Sequence, residues 1–317
     1  MYNIAIIGAG QLGSRHLQGV KQSNNKLNIW VYDPNKDSLD IAEERYNQIS
    51  TSIPKIIHFV QSMNEIPIEL DIVIIATSSK PRFSIIKNLL SKHRVKYLIL
   101  EKFLFQRISE YDIIEQLIKE KHIKAYVNCP RRMLDCYQLI KINIDDSNPI
   151  HMIYSGMDWG LCCNSIHFID IFMYICNAES YELNIDEIIP EIIESKREGY
   201  VELRGKEVIT TPKGDSLILA SYERFDKSPI INIINGNTKI EFSEILGKLD
   251  INGILYEKPI KYQSTLSGVL IDELINTGNC KLTTYKDSAH YHKIYLKKIL
   301  PFINRLRGIE SDNCPIT

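Results

Sequence analysis

The stretch that decides the fold is Ile4-Ala5-Ile6-Ile7-Gly8-Ala9-Gly10-Gln11-Leu12-Gly13. Four apolar residues without helical spacing read as a buried strand. The run breaks into glycines spaced G-x-G-x-x-G, and an amphipathic segment over 11–22 follows. The glycines therefore stand where a strand turns into a helix. A second apolar run, Ile29-Trp30-Val31-Tyr32, ends in Asp33, about twenty residues beyond the last glycine. Each part has a physical task in holding a dinucleotide. Gly8 permits the tight turn, Gly10 admits a pyrophosphate close to the backbone, and Gly13 lets the helix pack on the strand. The N–H groups at the helix start, at Gln11 and Leu12, point toward the phosphates.

Asp33 can accept hydrogen bonds from the two hydroxyls of an adenosine ribose, and its charge repels a 2′-phosphate. NAD is therefore expected ahead of NADP. Lys36, three residues on, would offset part of that repulsion.

Outward from this loop, apolar runs recur at 4–7, 29–32, 56–60, 72–75, 97–100 and 123–127. Amphipathic segments at 11–22, 38–46, 82–91 and 109–120 lie between several of them. Strands alternating with helices predict a Rossmann-type doubly wound parallel sheet over 1–125. Ligands bind such sheets beyond the carboxyl ends of the strands. From about residue 150 the pattern changes. A helix is expected over 164–177, then strand-like runs at 190–194, 199–204, 207–211, 216–224, 230–234, 238–243 and 249–256. Asn235-Gly236 between two of these is a hairpin signal. A last helix is expected over 286–299, stopping at Pro301. The whole reads as α/β. A second, α+β domain over 126–317 carries a large, mainly antiparallel open sheet, for substrate binding and oligomerisation.

The 317 residues carry 38 basic and 39 acidic side chains, far from the basic field that a nucleic-acid partner needs. Seven irregularly spaced cysteines without a C-x-x-C pair suggest neither a disulfide framework nor a metal site. No apolar stretch approaches the roughly eighteen residues of a membrane helix. The chain opens on a core strand with no room ahead of it for a signal peptide. A cytoplasmic location is expected.

Several positions at strand ends could carry chemistry. Ala76-Thr77-Ser78 follows the fourth run, where hydroxyls can meet a nicotinamide-side ribose or phosphate, or simply cap a helix. Glu101-Lys102 ends the fifth run. Lys102 is either a solvated strand-end lysine or an ammonium placed to hydrogen-bond a substrate oxygen and exchange its proton. Asn128-Cys129-Pro130-Arg131-Arg132 closes the sixth run, and its arginines suit an anionic group or a salt bridge joining the two domains. Within 164–177, His167 and Asp170 are spaced to share a helix face, flanked by Phe168, Ile171 and Phe172. His167 is a satisfied core residue or a proton carrier in carbonyl–alcohol interconversion. Cys163, one turn earlier, reads as a core thiol or a polar neighbour of that site.

Taken together, these motifs resemble the glucose-fructose oxidoreductase / inositol dehydrogenase / MocA family over nearly the whole chain. Gly8–Gly13 is similar to the family's glycine loop. Ala76-Thr77-Ser78 is similar to its A-T-P turn, and Glu101-Lys102-Phe103 to its E-K-P signature, each without the proline. Asn128 through Arg132 and the pair His167/Asp170 are similar to its later motifs. The resemblance implies NAD-dependent hydride transfer on a hydroxyl or carbonyl carbon of a sugar or sugar nucleotide, with Lys102 and His167 handling the proton. It implies cofactor contacts from Gly8, Gly10, Gln11, Leu12, Gly13, Asp33, Ala76, Thr77, Ser78, Glu101, Lys102 and Asn128. Substrate contacts are implied from Lys102, Arg131, Arg132, Cys163, Asn164 and His167, with no metal. The wording around N-C-P-R-R and C-N-S-I-H-F-I-D resembles a subgroup from surface-polysaccharide or nonulosonic-acid sugar pathways. The family's sheet commonly pairs through its open face, which implies a homodimer or homotetramer. One departure stands out: Cys163 occupies the place of a family aspartate that helps bind the reacting hydroxyl. It motivates a non-catalytic NAD-binding regulator as an alternative. A second alternative is an enzyme using NAD transiently, for epimerisation or glycoside cleavage.

Overall fold

The computed structural model describes every residue except 196, 226 and 227, in two compact units. The first unit comprises 1–105, 109–130 and 261–285. Its parallel strands are β1 (Tyr2–Ile7), β2 (Leu27–Tyr32), β3 (Lys55–Val60), β4 (Glu69–Ile75), β5 (Arg94–Leu100) and β6 (Lys124–Val127). They lie in the order β6-β5-β4-β1-β2-β3, so the winding reverses between β1 and β4. The connecting helices are α1 (Gln11–Lys21), α2 (Lys36–Asn47), α3 (Ser79–Lys92) and α4 (Ile108–Glu120). Ile4 to Ile7, Ile72 to Ile75 and Leu98 to Leu100 are essentially inaccessible to solvent. Burial on both faces is why these runs show no polar alternation.

The second unit comprises 106–108, 131–260 and 286–317. After α5 (Asp135–Ile142) come β7 (Ile150–Met157), α6 (Leu161–Cys176) and β8 (Glu182–Ile188). A short ribbon of β9 (Ile193–Glu194) and β10 (Val201–Glu202) precedes β11 (Gly205–Thr210) and β12 (Ser216–Tyr222). The sheet is completed by β13 (Ile231–Asn235), β14 (Thr238–Ser243), β15 (Lys248–Ile251) and β16 (Ile254–Glu257). Its order is β16-β15-β14-β13-β7-β12-β11-β8, antiparallel throughout except for β7 beside β12. Asn235-Gly236 makes the expected hairpin, with Gly236 at φ 57. Along β13, Ile231 and Ile233 are buried while Ile234 is exposed. One face of the sheet is core and the other is open.

The chain returns to the first unit in α7 (Gln263–Thr277) and β17 (Thr283–Thr284), the latter antiparallel to β6. A Cβ on Gly19 of α1 would meet Ser267 Cβ at 2.7 Å, and one on Gly268 would meet Gly19 O at 2.5 Å. These two helix backbones touch, and only glycine fits there. The single boundary expected at 125/126 is thus replaced by a division in which 126–130 and 261–285 group with the first unit.

Several elements depart from expectation. β7 and β8 were not anticipated, because edge strand β8 carries Glu182, Asn184, Asp186 and Glu187 and looks like a loop. The helix α7 was not anticipated either. The last helix, α8 (Tyr285–Arg307), runs through Pro301. Proline removes one backbone donor, yet Leu296, Ile299, Phe302 and Ile303 around it are buried, and that packing carries the helix on. Among the described residues no helix is long and apolar enough to cross a membrane.

Candidate active site

In the first unit the chain leaves β1 at Gly8, whose φ of 100 favours glycine, and whose N–H donates to Tyr32 O at 2.8 Å. Ala9 N donates to Asp33 Oδ2 at 2.8 Å, and Asn35 N donates to Asp33 Oδ1 at 2.9 Å. Asp33 thereby joins the β2 end to the glycine loop. Gly10 begins α1 without a side-chain cap, so the first N–H groups of the helix have no acceptor within it. A Cβ on Gly10 would meet nothing within 4 Å, whereas one on Gly13 would lie 1.8 Å from Gly8 O. The first glycine position faces open space and the second presses helix on strand, which is the division of labour that a pyrophosphate cradle requires.

Thr77 lies directly against this loop, its Cγ2 3.1 Å from where a Gly8 Cβ would stand. Its Oγ1 is buried and has no hydrogen-bond partner. A buried hydroxyl without a partner costs free energy, so this atom is suited to a ligand group entering the cradle. Ser78 starts α3 without using its hydroxyl as a cap. Lys36 is held by Asp40 at 3.0 Å, and that hydrogen bond raises its pKa. Its charge is already matched, so the offset expected beside Asp33 is diminished. These observations fit a dinucleotide, and residues 8–13, Asp33 and Thr77 are the ones that would hold it.

Lys102 follows β5, the strand beside β4, and is half-buried. The Lys102–Phe103 peptide bond is cis. Two groups fix the backbone on either side of it. One is Arg82, which the sequence reading passed over. Its guanidinium is buried and donates to the carbonyls of Thr77, Glu101, Phe103 and Leu104, the Glu101 bond at 2.6 Å. Arg82 ties the loop after β4 to the loop after β5. An arginine inside an amphipathic helix gives no local hint of this, apart from its placement on the apolar face with Ile86, Leu89 and Leu90.

The other group is Glu101. Its Oε1 accepts from His16 Nε2 at 2.8 Å and from Asn128 Nδ2. Asn128 Nδ2 also donates to Gln263 Oε1 at 2.8 Å, and His16 Nδ1 lies 2.9 Å from Ser267 Oγ. Glu101 and Asn128, expected at the cofactor, are therefore engaged with a buried network, although Asn128 Oδ1 keeps an unspent acceptor.

In the second unit, Gly160 at φ 76 starts α6. Cys163, Asn164 and His167 are only half-buried on a helix that is otherwise almost wholly buried, so they form one stripe at i, i+1 and i+4. Asn164 Nδ2 donates to Trp159 O at 2.7 Å. Glu202 of β10 caps the helix start, accepting from Cys162 N at 2.8 Å and Cys163 N at 3.2 Å. Asp170 lies on the buried side, not on the stripe with His167.

The arginines differ from expectation. Arg131 makes a two-pronged pair with Glu244 at 2.9 and 2.8 Å, and Tyr137 donates to the same carboxylate at 2.6 Å. Burial pulls the guanidinium's pKa down, but Glu244 outweighs this and holds it above its ordinary value. Arg132 pairs with Asp170 at 2.8 and 3.1 Å. All these partners belong to the second unit, so the expected salt bridge joining the two domains is corrected to pairing within one of them. A guanidinium already neutralised by a carboxylate is poorly placed to recognise a second anion. None of the seven cysteines is in a disulfide.

Residues 2–129 match the model of an oxidoreductase family with an NAD-binding Rossmann fold, GFO_IDH_MocA. No curated protein matches the chain in sequence. Among solved structures, UDP-N-acetylglucosamine 3-dehydrogenase GnnA from Acidithiobacillus ferrooxidans is similar at a TM-score of 0.73 and 14% identity, covering 93% of this chain and 96% of that one. An oxidoreductase from Agrobacterium radiobacter, in complex with NAD+, L-tartaric acid and magnesium, has a TM-score of 0.73 and 14% identity, covering 96% and 97%. Biliverdin reductase from Synechocystis sp. PCC 6803, with biliverdin and NADP+, has a TM-score of 0.66 and 14% identity, covering 94% and 98%. At such identities the likeness establishes the fold across both units. Residues 2–129 thus carry the NAD-binding Rossmann domain of the oxidoreductase family named after glucose-fructose oxidoreductase, inositol dehydrogenase and MocA.

Proposed function

We propose that the protein is an NAD(H)-dependent oxidoreductase interconverting a hydroxyl and a carbonyl on a sugar or sugar derivative. Sugar nucleotides and nonulosonic-acid precursors are the first substrates to try. The observation that carries this reading is Lys102 at the carboxyl end of β5, in the same unit as the dinucleotide cradle and one strand from the Ala76-Thr77 turn. NAD+, when bound, supplies the acceptor for the hydride leaving the hydroxyl-bearing carbon. Lys102 Nζ takes the hydroxyl proton as that carbon becomes a carbonyl and returns it in the reverse direction, with His167 assisting. The half-buried stripe of Cys163, Asn164 and His167 is the surface of α6 assigned to substrate. Asp33 and the pairing of Lys36 with Asp40 support NAD ahead of NADP. Self-association through the open sheet face, where Ile153, Met157 and Ile234 are exposed, belongs to the same reading.

The test is a panel of sugars and sugar nucleotides followed by NADH absorbance, comparing wild type with Lys102→Met. Loss of a proton-transferring group should lower turnover by about 10²–10⁴-fold while NADH still binds. Unchanged turnover would remove Lys102 from the chemistry. The thiol of Cys163 in place of a carboxylate favours a second reading, a dinucleotide-binding regulator. Tight NADH binding with no turnover on any of the panel would select it.

A further inference from the structure

The buried cluster behind Lys102 is larger than one ion pair needs, and it joins three parts of the first unit. His16 lies on α1, the helix that starts at the glycine loop without a side-chain cap. Glu101 and Asn128 lie at the carboxyl ends of β5 and β6. Gln263 and Ser267 lie on α7. His16 and Ser267 have no solvent exposure, Asn128 has 2% and Glu101 3%. Polar groups in such surroundings are tolerated only when their hydrogen bonds are made, and made in one arrangement. A carboxylate only accepts, so Glu101 calls for a hydrogen on His16 Nε2. His16 Nδ1 then faces Ser267 Oγ, at 2.9 Å, and Gln263 Nε2, at 3.3 Å. Gln263 Nε2 also donates to Ser267 Oγ at 2.9 Å, which closes the ring. The α1–α7 contact at Gly19 and Gly268 leaves the two helices no freedom to slide at this point.

The geometry points to His16 as a positioning residue for Lys102, acting through Glu101. It deepens the functional reading above and rests on it. The His16 bond ties Glu101 to the position of α1, and Glu101 is joined to Lys102 by a single peptide. The carbonyl of Glu101 is meanwhile fixed by Arg82 at 2.6 Å, and its N–H by Ile75 O at 3.1 Å. The helix that would meet the cofactor phosphates and the backbone that carries the ammonium are thus joined by one buried bond. Its task is to keep the Lys102 nitrogen at the distance from the reacting oxygen that proton transfer requires.

The test compares wild type, His16→Phe, His16→Gln, Glu101→Gln and Lys102→Met. Phenylalanine keeps the shape and removes both nitrogens, while glutamine keeps a donor toward Glu101. Glu101→Gln probes the same link should His16→Phe fail to fold. Three readouts are taken: NADH dissociation by fluorescence titration, kcat and KM on the best substrate of the panel, and hydrogen–deuterium exchange of the backbone over 101–105 against 8–14. Misplacement of a reacting group by about 1 Å costs on the order of 10²-fold in rate, so kcat for His16→Phe should fall by about that factor. NADH affinity and KM should hold, exchange over 101–105 should quicken while 8–14 is unchanged, and His16→Gln should recover much of the rate. Wild-type kcat and exchange in both His16→Phe and Glu101→Gln would overturn the proposal. So would a loss of NADH affinity in step with kcat, which would make His16 part of the cradle. If Lys102→Met keeps its turnover, the functional reading fails instead, and faster exchange over 101–105 still decides whether the link exists.

Discussion

Glu207 makes the sharpest prediction about this molecule, because it is a carboxyl group with no access to water. It lies on β11, with Oε2 2.5 Å from Ser165 Oγ and Oε1 2.6 Å from Tyr295 Oη. Burial pushes its pKa from the ordinary 4.5 up to about 7, against the pull of the Ser165 and Tyr295 hydroxyls. Ser165 also reaches Leu161 O at 2.7 Å and has one hydrogen to give. When that hydrogen goes to Leu161, a protonated Glu207 can donate to Ser165 and still accept from Tyr295. The native state therefore binds a proton that the unfolded chain releases between pH 4.5 and about 7. The resulting contribution is whole below pH 4.5 and is lost as pH rises through about 7. A shift of this size corresponds to about 3 kcal/mol. Glu207→Gln imitates the protonated form, with an amide that donates to Ser165 and a carbonyl that accepts from Tyr295. Urea denaturation followed by circular dichroism, in steps from pH 5 to pH 9, reads the difference between the two proteins. They should be nearly equal at pH 5, and the variant should gain by up to about 3 kcal/mol by pH 9. A difference that does not change with pH would refute the assignment of a neutral, buried Glu207.

Two further outcomes follow from other parts of the structure. Asp33→Ser should weaken NADH binding, because Ala9 N and Asn35 N lose their acceptor. It should also move the NAD/NADP affinity ratio toward NADP by about tenfold, ~1.4 kcal/mol, readable by fluorescence titration of both dinucleotides. A ratio left where it was would remove Asp33 from ribose recognition. Arg132→Met should destabilise the fold by about 3–5 kcal/mol, since it strands the buried Asp170 carboxylate. The double change with Asp170→Leu should recover part of that loss. A thermal melt of the single variant matching wild type would contradict the pairing.

How far each site was legible depended on how close its parts lie in the chain. The glycine loop could be read because Gly8, Gly10 and Gly13 answer to local geometry: a positive φ, an open approach and a helix pressed on a strand. Asp33 was legible for the same reason, at a fixed chain distance from the loop. The arginines after β6 were visible as a pair, but nothing nearby named Glu244 and Asp170, 113 and 38 residues away, as their partners. Arg82 carried no local sign of the four carbonyls that close around it. The strand β8 was hidden by its own polar residues, which an edge strand can expose, and α8 passed Pro301 because its neighbours were buried.

The sequence by itself determined the doubly wound unit, the dinucleotide cradle and the placing of Lys102 at a strand's carboxyl end. Those features follow from apolar periodicity and from glycine's freedom, both written in adjacent residues. Tertiary structure alone decided what surrounds Glu101, the residue before that lysine. His16 and Ser267 stand 251 residues apart and meet only because α7 comes back against α1, glycine to glycine. Burial then forces each polar group to find its partner there, and no local pattern in the chain records which partner that is.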